Sequence, residues 1–211
     1  MNLEYYSKNK FSLILTIYYE KKRRDMYDKV IKYWLNNSSF DIFIVDSYGE
    51  FKYDGNSRVK YLSFNQKKYF KNIDKYYHSY STYLEYFSLR MLWEKYKYFL
   101  MKYEYIIKLT GKYILNDLES ILDREVKDKM VYVQNNKKDG YNNVQSELFI
   151  MKVEIFKEFL IYFKREYRYE KNFEEILGEF VRLKENSRLS RLRIKKDDRV
   201  MRGDNVKLKY L

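Results

Sequence analysis

Two apolar runs separated by one amphipathic segment constrain this chain more than any other feature. Phe11–Tyr19 (FSLILTIYY) is rich in β-branched and aromatic residues, and Phe40–Val45 (FDIFIV) repeats that character. Between them a charged turn, Glu20–Asp25, leads to Met26, Val30, Ile31 and Trp34, whose spacing predicts a helix ending near Asn36–Ser39. Strand, helix and strand in such quick succession make a βαβ unit, so the two strands should be parallel. The chain is therefore expected to be α/β.

The remaining pattern fits that frame. Val59–Phe64 reads as a shorter strand. A long helical segment over Tyr80–Lys102 carries Leu84, Phe87, Leu89, Met91, Leu92, Tyr96 and Leu100. It is too apolar for a free surface helix and should pack across the sheet. Tyr105–Ile107 opens a buried strand, Leu118–Asp128 a short helix and Met130–Gln134 another strand. Asn135–Asn143 (NNKKDGYNN) is the strongest loop signal. Glu147–Val153 reads as a strand leading into a helix over Glu154–Tyr167, and a further helix covers Phe173–Leu183. A tail from Ser187 to Leu211 alternates basic and apolar residues, with a closing strand expected at Arg199–Leu208. No internal repeat is visible. The expectation is one domain over residues 1–211, with a mainly parallel mixed sheet, helices on both faces and a basic segment at 187–211.

At 211 residues the chain suits one large domain with a real core. It has 26 Tyr and 14 Phe, but no proline, cysteine or alanine. Lys, Tyr, Asn, Ile and Phe are the residues of A/T-rich codons, so their abundance carries little functional weight. Without cysteine there are no disulfides and no thiolate metal sites. No apolar run approaches the ~20 residues of a membrane span, and MNLEYYSKNK lacks the apolar core of a secretory signal. A cytoplasmic location is expected, at most with peripheral contact to an anionic membrane. The net charge of +13, with a pI of about 9.4, attracts phosphates of any kind. Because the lysines are dispersed along the chain, a dedicated nucleic-acid groove is not expected. Interleaved Tyr and Lys nevertheless keep a basic nucleic-acid-binding protein as the alternative.

The richest stretch for chemistry is Tyr105–Asp117 (YIIKLTGKYILND). After its apolar opening come Lys108, Thr110, Gly111 and Lys112. Gly111 is one of only six glycines, so it should answer a backbone need: a positive φ, or close approach of the main chain to a ligand. A buried strand delivering cations and a glycine at its carboxyl end suits a phosphorylated ligand as well as it suits a solvated turn. His78 is the only histidine, which nearly excludes imidazole metal sites, and no Gly-x-Ser-x-Gly, phosphate-loop or Gly-x-Gly-x-x-Gly pattern occurs. That leaves carboxylates: Asp46, Glu85, Asp117, Glu147, Glu174 and Glu175. Asp46 closes the second strand, where it can accept from a nucleobase or ribose, or begin an Asx-turn before Gly49. Glu174 and Glu175 follow Asn172 at a helix start, where the macrodipole favours acids. That accounts for one of them and leaves a general-base role open for the other.

The order of these motifs resembles a family. Thr16-Ile17-Tyr18-Tyr19 ends the first strand, and Val45-Asp46-Ser47-Tyr48-Gly49 the second. A Tyr-x-x-x-x-Glu segment, Tyr80–Glu85, opens the long helix, and Ile107 to Tyr113 reads IKLTGKY. Val144–Phe149, Glu174–Leu177 and Arg199–Gly203 follow. The set resembles the small GT-A-type glycosyltransferase domains of viral and bacterial glycan-synthesis clusters, whose central motif reads Lys-x-Thr/Ser-Gly-Arg-Tyr. The resemblance implies a Rossmann-like GT-A domain and a hexosyl- or pentosyltransferase, with a nucleotide-sugar donor and a glycan or other hydroxyl acceptor. It implies donor-binding roles for Thr16, Tyr18, Asp46, Glu85, Lys108, Thr110, Gly111, Lys112 and Asp117, and acceptor contacts at Gln145 and Glu147. Glu174 or Glu175 would be the base of an inverting transfer. Where many such enzymes carry a metal-binding Asp-x-Asp, this chain has Lys108 to Lys112. Either lysines neutralise the diphosphate without a cofactor, the favoured expectation, or Asp117 supplies one ligand to Mn or Mg. Lys112 also replaces the more usual arginine, so a bidentate phosphate contact is lost. A catalytically degenerate donor-binding domain is the remaining alternative.

Overall fold

The computed structural model describes residues 10–70, 77–116, 118–126, 129–135, 144–167 and 171–184. The tail from Ser187, the expected strand at Arg199–Leu208, most of the Asn135–Asn143 loop, Asp117 and the side chain of His78 lie outside the described residues.

Among the described residues six strands form one sheet in the order β3-β2-β1-β4-β6-β5. They are β1 (Phe11–Ile17), β2 (Asp41–Asp46), β3 (Val59–Ser63), β4 (Tyr105–Thr110), β5 (Val131–Asn135) and β6 (Val144–Lys152). The βαβ reading holds: β1 pairs parallel with both β2 and β4, and β2 parallel with β3. The sheet is mixed because β6 runs antiparallel to both β4 and β5. β6 starts three positions before the expected Glu147, since Val144, Gln145 and Ser146 continue its in-out alternation.

Six α-helices lie among the described residues: α1 (Arg24–Asn37), α2 (Gln66–Tyr69), α3 (Tyr77–Leu100), α4 (Leu118–Glu125), α5 (Val153–Glu166) and α6 (Phe173–Leu183). α1 buries Tyr27, Val30, Ile31 and Trp34, one stripe at helical spacing. Its exposed carbonyl end is closed by Arg58, whose guanidinium donates to the carbonyls of Leu35, Ser38 and Phe40. α1 and α4 pack on one face of the sheet, against Leu13, Leu15, Ile42, Ile44, Ile107 and Leu109. The other face carries α3, α5 and α6 over Ile14, Phe43, Val45, Ile106, Phe149 and Met151. Each fully buried aliphatic or aromatic side chain contributes about 1.5–3 kcal/mol, so these two layers hold the sheet rigid beneath whatever its edges present. No helix among the described residues is long and apolar enough to cross a membrane.

Candidate active site

From β1 the chain moves outward to β2 and β3, then crosses back to place β4 on the other side of β1. The carboxyl ends of β1 and β4 therefore diverge at a topological switch point, where open α/β sheets form a crevice. A cleft of about 360 Å³ opens there. Thr16, Ile17 and Tyr18 line it from the end of β1, Arg23 and Tyr27 from the turn and helix that follow, and Ser47 from the end of β2. Ser81, Leu84, Glu85 and Ser88 of α3 form one wall, with Thr110, Lys112, Ser146 and Glu147 opposite.

Six of the residues expected from sequence meet in this cleft: Thr16, Tyr18, Glu85, Thr110, Lys112 and Glu147. The others are placed differently, for physical reasons. Asp46 is fully buried. Its Oδ1 accepts the amides of Tyr19 and Tyr48 at 3.0 and 2.9 Å. Its Oδ2 accepts those of Gly49, Glu50 and Phe51 at 2.9–3.0 Å and the Ser63 hydroxyl at 2.8 Å. With both oxygens occupied, Asp46 organises the loop after β2 and is not a ribose acceptor; the Asx-turn alternative describes it. Gly49 within that loop has φ of 96°, a conformation that side chains rarely adopt.

Gly111 does not meet the first of the two expectations set for it, a positive φ. The structure gives a steric reason for the glycine: a Cβ there would lie 2.3 Å from Cγ2 of Ile17. Its amide donates to the Thr16 carbonyl at 2.8 Å, so the glycine lets the end of β4 close onto β1. Glu175 stays exposed on α6, where it and Asn172 form a reciprocal capping box. Gln145 sits half-buried on β6, and its Oε1 has no hydrogen-bond partner among the described residues.

Lys108 is the largest departure. It does not reach the cleft; it is fully buried beneath it. Its Nζ donates to Glu85 Oε1, to the Ser146 carbonyl and, at 3.2 Å, to Thr110 Oγ1. The rings of Phe149 and Phe173 flank it at 5.8 and 6.0 Å. Ser146 Oγ in turn donates to Glu174 Oε1, which stands behind the cleft wall. Burial pushes the Glu85 carboxyl above its ordinary range, Lys108 pulls it back, and the charges of Glu174 and Glu147 push it up again. Four sequence motifs thus converge on one polar network. Sequence reading missed Arg23, Tyr27 and Ser47; only the basic run Lys21–Arg24 directly after the first strand signalled a cation there.

Glu85 is already paired with the internal Lys108 ammonium, and no three His, Cys, Asp or Glu among the described residues group to hold an ion. The cations able to meet a diphosphate at the cleft are Lys112 and Arg23, the latter steadied by Glu20 at 2.9 Å.

No family model and no curated protein sequence matches the chain. Solved structures do. The crystal structure of a glycosyltransferase involved in glycosylation of the major capsid of PBCV-1 aligns at 10% identity. That match has a TM-score of 0.53 and covers 86% of this chain and 81% of the other. The galactosyltransferase LgtC, in complex with donor and acceptor sugar analogues, aligns at 10% identity and TM-score 0.45 over 80% and 70% of the two chains. GlyE of Streptococcus pneumoniae aligns at 11% identity and TM-score 0.48 over 86% and 45%. The architecture of this chain, a mixed α/β sheet with a cleft at its switch point, is the GT-A-type glycosyltransferase fold.

Proposed function

We propose that the chain is a glycosyltransferase that moves a sugar from a nucleotide-sugar donor to a hydroxyl of a glycan, with inversion. The observation that carries this reading is the switch-point cleft, which combines two cations, two carboxylates and a wall of hydroxyls. The donor lies over the ends of β1 and β4, its nucleoside beside Thr16, Tyr18 and Ser47 and its diphosphate against Lys112 and Arg23. The acceptor oxygen attacks the anomeric carbon and loses its proton to a carboxylate lining the cleft, Glu85 or Glu147. The bond from that carbon to the diphosphate breaks, and its electron pair leaves with the nucleotide, whose charge Lys112 and Arg23 stabilise. Glu174 stands one hydrogen bond behind this surface and Glu175 is held in its helix cap, so neither is the first choice of base. In this transfer lysine and arginine carry the diphosphate charge without a metal, and Asp117→Asn tests that.

The deciding experiment offers UDP-, GDP-, dTDP- and CMP-sugars to the purified chain, with EDTA or Mn²⁺, and follows thermal shift and nucleotide release. A bound donor at a hundredfold excess over Kd raises stability by about 2.7 kcal/mol. Binding with release insensitive to EDTA supports the reading. Binding without turnover leaves a donor-binding domain, and loss of activity in EDTA matched by Asp117→Asn replaces the lysine reading with a metal. No binding of any donor removes the proposal.

A further inference from the structure

We infer that Lys108 is a positioning residue, a buried ammonium that holds the Glu85 carboxylate at the floor of the cleft so that Glu85 takes the proton of the reacting hydroxyl. The inference rests on the transfer reading above and selects between its two carboxylates.

A lysine with no exposed surface, set between two phenyl rings, is costly to place, and an apolar side chain of similar length would serve stability as well. What the ammonium adds is direction. Its three donors tie α3, through Glu85, to β4 at Thr110 and to β6 at the Ser146 carbonyl. The Ser146 hydroxyl extends the tie to Glu174 on α6. Glu85 gives one oxygen to Lys108, and no other described group bonds its carboxylate. The side chain is about a quarter exposed and lines the cleft. Among the described residues Glu85 is thus the one cleft carboxylate with a fixed orientation and an oxygen left for substrate, whereas Glu147 has no such anchor there. The groups facing it are Lys108 and Thr110 from β4, Ser146 and Glu147 from β6 and Glu174 from α6. In the reaction the acceptor O–H bond breaks toward Glu85, and the oxygen bonds to the anomeric carbon. The bond from that carbon to the diphosphate oxygen breaks with its electron pair departing on the leaving group.

The test compares wild type with Lys108→Met, Glu85→Gln and the double variant, all in the full chain. Each single substitution is expected to lower kcat about 100-fold or more, the scale of a lost general base. Donor Kd should stay within about threefold, and the double variant should lose no more than the worse single one, because the pair acts as a unit. The double variant leaves neither charge unpaired, which keeps the comparison usable where a single variant folds poorly. A second readout needs no turnover: the isotope-labelled carboxyl NMR signal of Glu85, identified by its loss in Glu85→Gln. Its titration should move upward by at least about one pH unit in Lys108→Met, as removal of an adjacent opposite charge requires. A Glu85→Gln enzyme with kcat within about threefold of wild type overturns the base role, and an unmoved titration overturns the positioning role. A wild-type chain that transfers no sugar overturns the transfer reading and the base role together, while the titration separately decides whether Lys108 holds Glu85.

Discussion

Removing the Asp46 carboxylate should destabilise the fold far more than it disturbs any ligand. Five amides and one hydroxyl donate to this fully buried side chain, at 2.8–3.0 Å. Asp46→Ala strands these donors, and each buried donor left without an acceptor costs about 1–3 kcal/mol. With water replacing the acceptor for about half of them, the loss is about 4–5 kcal/mol, a large part of the ~5–15 kcal/mol that holds a domain together. Asp46→Asn keeps one carbonyl oxygen but sets an amide against donors on the other side, for a loss of about 2–3 kcal/mol. Urea unfolding followed by circular dichroism reads both. With a slope of about 2–3 kcal/mol/M, the alanine variant should unfold about 1.5–2 M earlier. A shift below about 0.5 M would refute the loop-organising role. A folded Asp46→Asn protein that binds nucleotide much more weakly than wild type would return Asp46 to the ligand.

Three further outcomes are expected. Gly111→Ala drives a methyl group into Ile17 and should cost about 1–3 kcal/mol; the cost should shrink in a double-variant cycle with Ile17→Ala, as measured by chemical denaturation. Lys112→Ala should slow transfer about 100-fold while leaving the affinity for a phosphate-free nucleoside unchanged, a contrast that isothermal calorimetry and initial rates can draw. Tyr19 donates to Asp28 at 2.8 Å, and burial together with that partner pushes its phenol up to about 12. Because the raised value favours the neutral form in the fold, its stabilising contribution is complete below about pH 10 and is lost as pH rises through about 12. Tyr19→Phe should therefore lose stability less steeply than wild type across that alkaline window in pH-dependent melting.

The architecture was legible where the signal was local. FSLILTI and DIFIV declare buried strands by composition alone, and the spacing of Met26, Val30, Ile31 and Trp34 declares a helix. Asn172 three residues before Glu175 spells a capping box that any reader of the sequence can find. What failed to show was long-range. Lys108 looks like the polar end of a strand, yet its carboxylate and carbonyl partners lie 23 residues before it and 38 residues after it. Gly111 is glycine because of Ile17, a residue on another strand. The first residues of β6 resemble loop because Gln145 and Glu147 occupy its half-exposed positions. The motifs named six residues that line the cleft and others that do not, and only the register of β4 against β1 and β6 decides which of them face it.

The division of the core into two layers gives the molecule a pair of natural optical reporters. The chain has just two tryptophans, and the sheet separates them: Trp34 lies with α1 on one face and Trp93 with α3 on the other. Trp34 donates its indole N–H to the Tyr113 carbonyl, one residue past Lys112. A Trp93→Phe chain would therefore keep tryptophan emission only from the layer that borders the cleft beside Lys112. Its fluorescence would follow occupancy of that cleft, while Trp34→Phe would leave emission from the α3 layer against Phe156. Two single substitutions would thus resolve, without any added dye, whether ligand binding is felt on one side of the sheet or on both.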